Sequence, residues 1–327
     1  MRRKSQQRPP VIVILGPTAA GKTALAMQLA DRLPLKLISV DSAMVYRGLD
    51  IGTGKPTAQE LERYPHALIN IAEPTEHYNA ARFVQDASWA INAAHAQNKI
   101  PCLVGGTILY IRALLQGLTA TPSAQPELRA QIQAHARSFG WPAVHVWLTK
   151  LDPMTGARLN PNDRQRLERA LEVCLATGRP FHELYDANYF RAGWDQQALQ
   201  DSAWNITLLG LAPQHKADLH PLIERRFDDM LNQGLITEVE QLFNSDDINA
   251  ELPAIRAVGY RQVWSYLEQS VSFNTMREQA LAATRQLAKR QLTWMRSFSQ
   301  LNYLDCFCAN LINETTALLN SASLSDQ

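Results

Sequence analysis

The chain has 327 residues, 46% of them apolar and 19% charged, with a formal net charge of +1. That length and apolar content suit one large or two smaller globular units with a sizeable core. The near-neutral balance confines any nucleic-acid footprint to local patches, and no apolar run reaches the roughly 18 residues that a membrane span needs.

Residues 1–10 (MRRKSQQRPP) are basic and expected to be disordered. Val11–Leu15 (VIVIL) is β-branched and apolar and predicts a buried strand. Gly16, Pro17, Thr18, Ala19, Ala20, Gly21, Lys22 and Thr23 follow as GPTAAGKT, a full G-x-x-x-x-G-K-[ST] phosphate loop. Apolar residues then recur at helical spacing from Lys22 to Leu33. In that context the loop wraps backbone N–H groups around an anion at a helix N-terminus. Lys22 would reach the outer phosphate, and the Thr23 hydroxyl would ligate Mg²⁺.

Leu35–Val40 reads as a second strand ending at Asp41-Ser42, and Ala67–Ile71 as a third apolar run. Asn79–Gln97 is an amphipathic helix with Asn79 as its N-cap. Ile100–Val104 is a buried strand ending in Gly105-Gly106-Thr107, and Ile108–Leu118 is a helix. Such strand–helix alternation predicts a parallel sheet covered on both faces. The expected fold class is therefore α/β, a P-loop NTPase-like core.

At Thr119 a Pro/Ser-rich linker begins, and from Glu127 to about Tyr185 only helices are expected. These include Glu127–Phe139 and Asn162–Thr177, the latter capped by Asn162 or Asp163 and stopped at Gly178. Residues 119–203 read as an inserted all-helical domain, with Asp186–Ala203 irregular. Asn205–Leu211 returns to strand character, and Leu219–Phe243 reads as one long helix. The core is expected to comprise 11–118 and 204–308, followed by a loose tail over 309–327. Cys102, Cys174, Cys306 and Cys308 are scattered and have no His pair at ligand spacing, which suits free thiols in a reducing cytoplasm.

Ligands of open α/β sheets bind outside the carboxyl ends of the strands. Asp41 sits at such an end, beside the phosphate loop. It is read either as a general base next to the reacting group or as a helix-capping or Mg²⁺-holding carboxylate. Gly105 and Gly106 would let a substrate approach the backbone, or form a plain turn. The helical insertion carries Arg164, Arg166 and Arg169 around a buried stripe of Leu167, Ala170, Leu171, Cys174 and Leu175. Arg166 and Arg169 project away from that stripe and serve solvation or a partner. Between Ala254 and Gln300 there are seven Lys/Arg against two acids. Arg285, Lys289 and Arg296 fall within about 40° of one another on a helix. Interleaved with Tyr260, Trp264 and Trp294, they suit nucleic-acid phosphates or an ordinary solvated face.

Taken together, GPTAAGKTALA (16–26), LISVDSAMVYRGLDIGTGKP (37–56), LVGGTILY (103–110), NDRQRLERALEV (162–173), LPAIRAVGYRQVWSYL (252–267) and TRQLAKRQLTWMR (284–296) resemble the tRNA dimethylallyltransferase family, bacterial type. The resemblance runs from about residue 10 to 300, with mild departures at Met44-Val45, Arg47 and Gly54. It implies transfer of a dimethylallyl group from dimethylallyl diphosphate to N6 of adenosine 37 in a tRNA anticodon stem-loop. It also implies a Mg²⁺ cofactor and, as partners, tRNA and the diphosphate. A monomer is expected. Asp41, Thr18 and Arg226 are the implied catalytic residues, with 16–23 holding the diphosphate. The implied tRNA contacts up to residue 169 are Asp41, Ser42, Ala43, Met44, Thr107, Arg129, Gln165, Arg166, Leu167, Glu168 and Arg169. Further along they are Arg256, Ala257, Val258, Gly259, Tyr260, Arg261, Lys289, Arg290, Gln291, Leu292, Thr293, Trp294, Met295 and Arg296. The alternative is a P-loop small-molecule kinase that uses the same loop for ATP. Its weakness is that the strand ending at Gly105 carries no terminal carboxylate.

Overall fold

Alternate residues of the first strand feed two different cores. The computed structural model describes residues 8–117, 122, 124–185, 199, 202–298 and 300–324. In β1 (Pro10–Leu15), Val11, Val13 and Leu15 join one apolar cluster while Ile12 and Ile14 join another on the opposite face. A strand buried on both sides needs no polar alternation, which is why VIVIL is apolar throughout. The chain separates into two compact units, 1–117 with 194–327, and 118–193.

The first unit begins with β1, α1 (Lys22–Ala30), β2 (Leu35–Val40), α2 (Ala58–Arg63), β3 (His66–Ala67), α3 (Ala80–Ala96), β4 (Ile100–Gly105) and α4 (Ile108–Gln116). The second unit is helical among its described residues. It contains α5 (Pro126–Phe139), α6 (Trp141–Leu151), α7 (Pro153–Gly156), α8 (Arg164–Thr177) and α9 (Phe181–Leu184). The first unit resumes with β5 (Asn205–Ala212), α10 (Leu219–Asn232), α11 (Leu235–Phe243), α12 (Tyr260–Leu267), α13 (Phe273–Met295), β6 (Asn302–Asp305) and α14 (Leu311–Leu324). Six parallel strands lie in the order β3-β2-β4-β1-β5-β6. Leu15 pairs with Gly105 and Gly210, and Val40 also pairs with Gly105. The ends of β1, β2, β4 and β5 therefore share one edge, where the phosphate loop, Asp41 and Thr107 emerge. This is the α/β, P-loop NTPase-like core that strand–helix alternation implies.

Several expectations need correction. The predicted helix 219–243 is two helices, broken at Gln233-Gly234, because Gly234 takes φ 100°. The third run, 67–71, supplies only a two-residue strand, since Leu68 and Asn70 adopt φ 65° and 56° and leave extended geometry. The described part of the tail, 309–324, is not loose. Leu311–Leu324 forms α14, whose Leu319 is buried with Leu25 and Leu29 of α1 beneath the sheet. The strand β6 carries no alternating pattern and was not foreseen. Pro10, expected in the disordered N-terminus, begins β1; the expectation for residues 1–7 lies outside the described residues, as does that for most of 186–203. No helix among the described residues is long and apolar enough to cross a membrane.

In the second unit, Asp163 caps α8 and Gly178 ends it at φ 66°, so the helix starts two residues after the expected Asn162 and stops at the expected Thr177. Its core gathers Ile132, Val144, Leu148, Leu167, Ala170, Leu171 and Phe181. Asp152 is fully buried and accepts from the Thr155 N–H and hydroxyl and from His182 N and Nδ1, at 2.6–2.9 Å.

Candidate active site

The phosphate loop leaves β1 through Gly16, where a Cβ would stand 2.4 Å from the Leu211 carbonyl of β5. Ala19 (φ 66°) and Gly21 (φ 80°) are left-handed, the alternation that turns successive amides toward an anion. The first bond of α1 runs from Leu25 N to Gly21 O, so the amides of Lys22, Thr23 and Ala24 precede the helical ladder and point out of its N-terminus. Lys22 Nζ donates to Pro17 O at 2.7 Å, folding the ammonium back over the loop.

Three charges meet beside this loop. Burial first, and then the positive charge of Arg226, pull the Lys22 pKa down to about 8, while Asp41 opposes the fall. Arg226, on α10, is likewise lowered by burial and sustained by Asp41. Its Nη2 donates to Thr53 O at 3.4 Å. Two partly desolvated cations with one carboxylate form a site that favours a multiply charged anion.

Asp41 Oδ1 accepts the N–H of Ala43 at 2.8 Å and of Met44 at 3.2 Å, a local turn that fixes the carboxylate. Among the described residues, Oδ2 has no protein partner. Thr107 Oγ1 accepts the Ser42 N–H at 3.1 Å and so ties the end of β4 to the same turn. One oxygen thus caps the turn, while the other is unpartnered among the described residues.

The glycines at the end of β4 are called for by contacts within the protein. A Cβ at Gly105 would meet Val40 O at 2.0 Å, and one at Gly106 would meet Gln291 Nε2 at 2.2 Å. The close approach is to the protein's own β2 and α13. Gln291 donates to Gly106 O at 3.0 Å and accepts the Thr18 N–H at 2.9 Å.

Glu238 of α11 escaped the reading of the sequence because a lone Glu on an amphipathic helix carries no signal. Its carboxylate accepts the N–H groups of Asp50, Ile51 and Gly52 at 2.7–3.1 Å and the Tyr260 hydroxyl. Lys55, in the same DIGTGK loop, donates to Tyr46 O, Asp50 Oδ1 and Asn70 Oδ1. These bonds hold the loop that carries Thr53 and Gly54 against Arg226.

The residues implied to contact tRNA divide by exposure. In the first unit Ser42, Arg256, Arg261, Lys289, Arg290, Thr293 and Arg296 are exposed, whereas Asp41, Ala43, Met44, Thr107, Ala257, Val258, Leu292 and Trp294 are half-buried. Gly259, Tyr260, Gln291 and Met295 are buried; Tyr260, Met295 and Trp264 belong to the apolar cluster under α12 and α13, whereas Gln291 turns to the phosphate loop. The expected aromatic interleaving is therefore packing. Arg285 is half-buried with an orphaned Nε, so the exposed stripe consists of Lys289 and Arg296, joined by Arg290.

In the second unit Gln165 and Arg166 are exposed and Leu167 is core. Glu168 accepts from Gln133. Arg169 does not project freely. With Arg129 it grips Glu172, which is 1% exposed and also accepts the Gln125 N–H. Burial alone would raise the Glu172 pKa, but these hydrogen bonds outweigh it and hold it below the ordinary range.

No group of three or more His, Cys, Asp or Glu among the described residues could hold a metal. The Thr23 hydroxyl, at the start of α1 and without a protein partner among those residues, fits a Mg²⁺ that keeps its waters and is shared with substrate phosphates.

Fold and site together define a P-loop enzyme whose sheet edge brings two cations and a carboxylate beside the phosphate loop. The chain belongs to the IPP transferase family, whose model matches residues 44–298. It is 50% identical over 316 residues to tRNA dimethylallyltransferase 2 of Hahella chejuensis, covering 95% of each chain. It is 52% identical over 297 residues to the tRNA dimethylallyltransferase of Thioalkalivibrio sulfidiphilus, covering 91% of this chain and 90% of that one. The crystal structure of the Bacillus halodurans tRNA isopentenylpyrophosphate transferase superposes with a TM-score of 0.68 at 32% identity, covering 98% of this chain and 99% of that chain. A eukaryotic dimethylallyltransferase acting on tRNA gives a TM-score of 0.79 at 26% identity, covering 98% of this chain and 80% of that one.

Proposed function

We propose that the protein transfers a dimethylallyl group from dimethylallyl diphosphate to N6 of adenosine 37 of tRNA. The C1–O bond of the allylic diphosphate breaks, an N6–C1 bond forms, and one amine proton is lost. Adenine N6 is a weak nucleophile because its lone pair is delocalised into the ring. The allylic cation compensates, so the charge needing stabilisation grows on the departing diphosphate.

The amides at the start of α1, Lys22 and Arg226 receive that charge. Thr18 helps to shape the loop. Thr23 would hold a Mg²⁺, which would add positive charge at the leaving group. Asp41 Oδ2 accepts the N6 proton as the new bond forms. The observation that carries this reading is the pairing of an anion cradle with a carboxylate that has one oxygen fixed and one free. Unstacking the base costs a few kcal/mol, offset by contacts to exposed cations such as Lys289, Arg290 and Arg296 and to Arg166 of the helical unit.

The test is incubation with unmodified tRNA carrying adenosines at positions 36 to 38 and labelled dimethylallyl diphosphate. Label in the RNA, lost when adenosine 37 is replaced, is expected. Turnover of ATP without label in RNA would favour the kinase.

A further inference from the structure

Gln291 lies in a segment that the sequence assigns to RNA contact, yet it is 9% exposed and faces inward. Both ends of its amide are engaged. The oxygen accepts Thr18 N–H from the phosphate loop, and the nitrogen donates to Gly106 O after β4. The glycine at 106 is required by this contact, since a Cβ there would overlap Nε2. Lys289, Arg290 and Thr293 on the outer face of the same helix are exposed.

We propose that Gln291 is a positioning residue for the diphosphate and not a tRNA contact. Spanning two loop ends, it fixes the height of the phosphate loop over the sheet edge. It also consumes the Thr18 N–H, so that the amides at the α1 terminus are left to meet the anion. A buried side-chain amide bonded at both ends is costly to truncate, because each lost partner leaves a desolvated backbone group. The consequence is borne by the loop that Gln291 pins. Only the identity of the natural anion rests on the function proposed above.

The experiment measures binding of inorganic pyrophosphate and of tRNA by the full chain, with the KM of each substrate. Gln291→Met, similar in length, should weaken pyrophosphate binding and raise the KM for dimethylallyl diphosphate by about tenfold or more, with the tRNA values within about twofold. Gly106→Ala should reproduce that split. Gln291→Glu keeps an acceptor for Thr18 but loses the donor to Gly106, and should give the same direction if the Met variant does not fold. Equal losses for both substrates, a loss confined to tRNA, or no change in either overturns the proposal. Should the wild-type protein bind pyrophosphate yet fail to label tRNA, the proposed reaction falls while the pyrophosphate split still decides the role of Gln291.

Discussion

Gly54 and Arg226 compete for one space: a Cβ at position 54 would stand 2.0 Å from Arg226 Nη2, and Gly54 itself is held at φ 63°. The glycine is a mild departure from the pattern read in the sequence, and the structure gives its reason. Gly54→Ala should strain the loop and push the guanidinium away from the diphosphate. A loss of roughly a hundredfold in kcat/KM for dimethylallyl diphosphate is expected. Steady-state kinetics at saturating tRNA would check it, and an unchanged value would show that Arg226 acts from elsewhere.

Lys22 sets a pH limit. Its folded pKa of about 8 lies below the ordinary 10.5. In the free protein the ammonium is lost as pH rises through about 8, and with it the attraction for pyrophosphate. Affinity should fall between about pH 7 and about pH 9, with proton uptake on binding. Calorimetry in buffers of different ionisation enthalpy reads that uptake, and Lys22→Met should remove the fall in affinity that belongs to the ammonium, leaving only the pH dependence of pyrophosphate itself. The sign for folding is opposite. The folded state disfavours the charged form, so the penalty operates below about 8 and is relieved as pH rises toward 10.5.

Asp41→Asn separates the two functions of one carboxylate. The amide oxygen can still accept from Ala43 and Met44 and so keep the turn. The base is gone. Transfer should fall by roughly 10²–10⁴, while tRNA binding stays within about twofold. Filter binding and single-turnover labelling measure the two. Near-normal transfer would exclude Asp41 as the base.

Removing an acid should weaken RNA binding in the helical unit. Glu172→Ala leaves Arg129 and Arg169 without the carboxylate they share. Breaking a buried ion pair on one side costs about 3–5 kcal/mol. Thermal melting should show that loss, and tRNA affinity should fall with it. Tighter tRNA binding would mean that both arginines had been released intact to the RNA. The wild-type contribution of Glu172 is present above its unfolded pKa and lost as pH falls through its lowered folded one.

Lys289 and Arg296 are exposed where Arg285 is not. Each change to Ala should weaken tRNA binding and lower the salt slope by about 1. The dependence of Kd on salt concentration checks this, and an unaltered slope would make the stripe plain surface.

Much of the fold was legible because short-range physics writes it. An all-apolar VIVIL reports a strand buried on both faces, and Asp163 and Gly178 mark the ends of α8 through local capping. The loop GPTAAGKT declares its ligand class because its own backbone builds the site. The break at Gly234 was missed since the apolar stripe continues across it. The tail was misread since its Ser, Thr and Asn content hides the few apolar residues that dock on α1.

What the sequence determined by itself was the phosphate loop, the carboxylate after the second strand and the family pattern. These depend on residues near in the chain, whose geometry the backbone dictates. Only the tertiary structure decided which residues of a motif face inward. Gln291 and Lys289 lie two positions apart on one helix, yet one pins the phosphate loop and the other faces solvent. That division arises because a helix has two sides, and what packs against each comes from distant strands and loops such as Gly106 and Thr18.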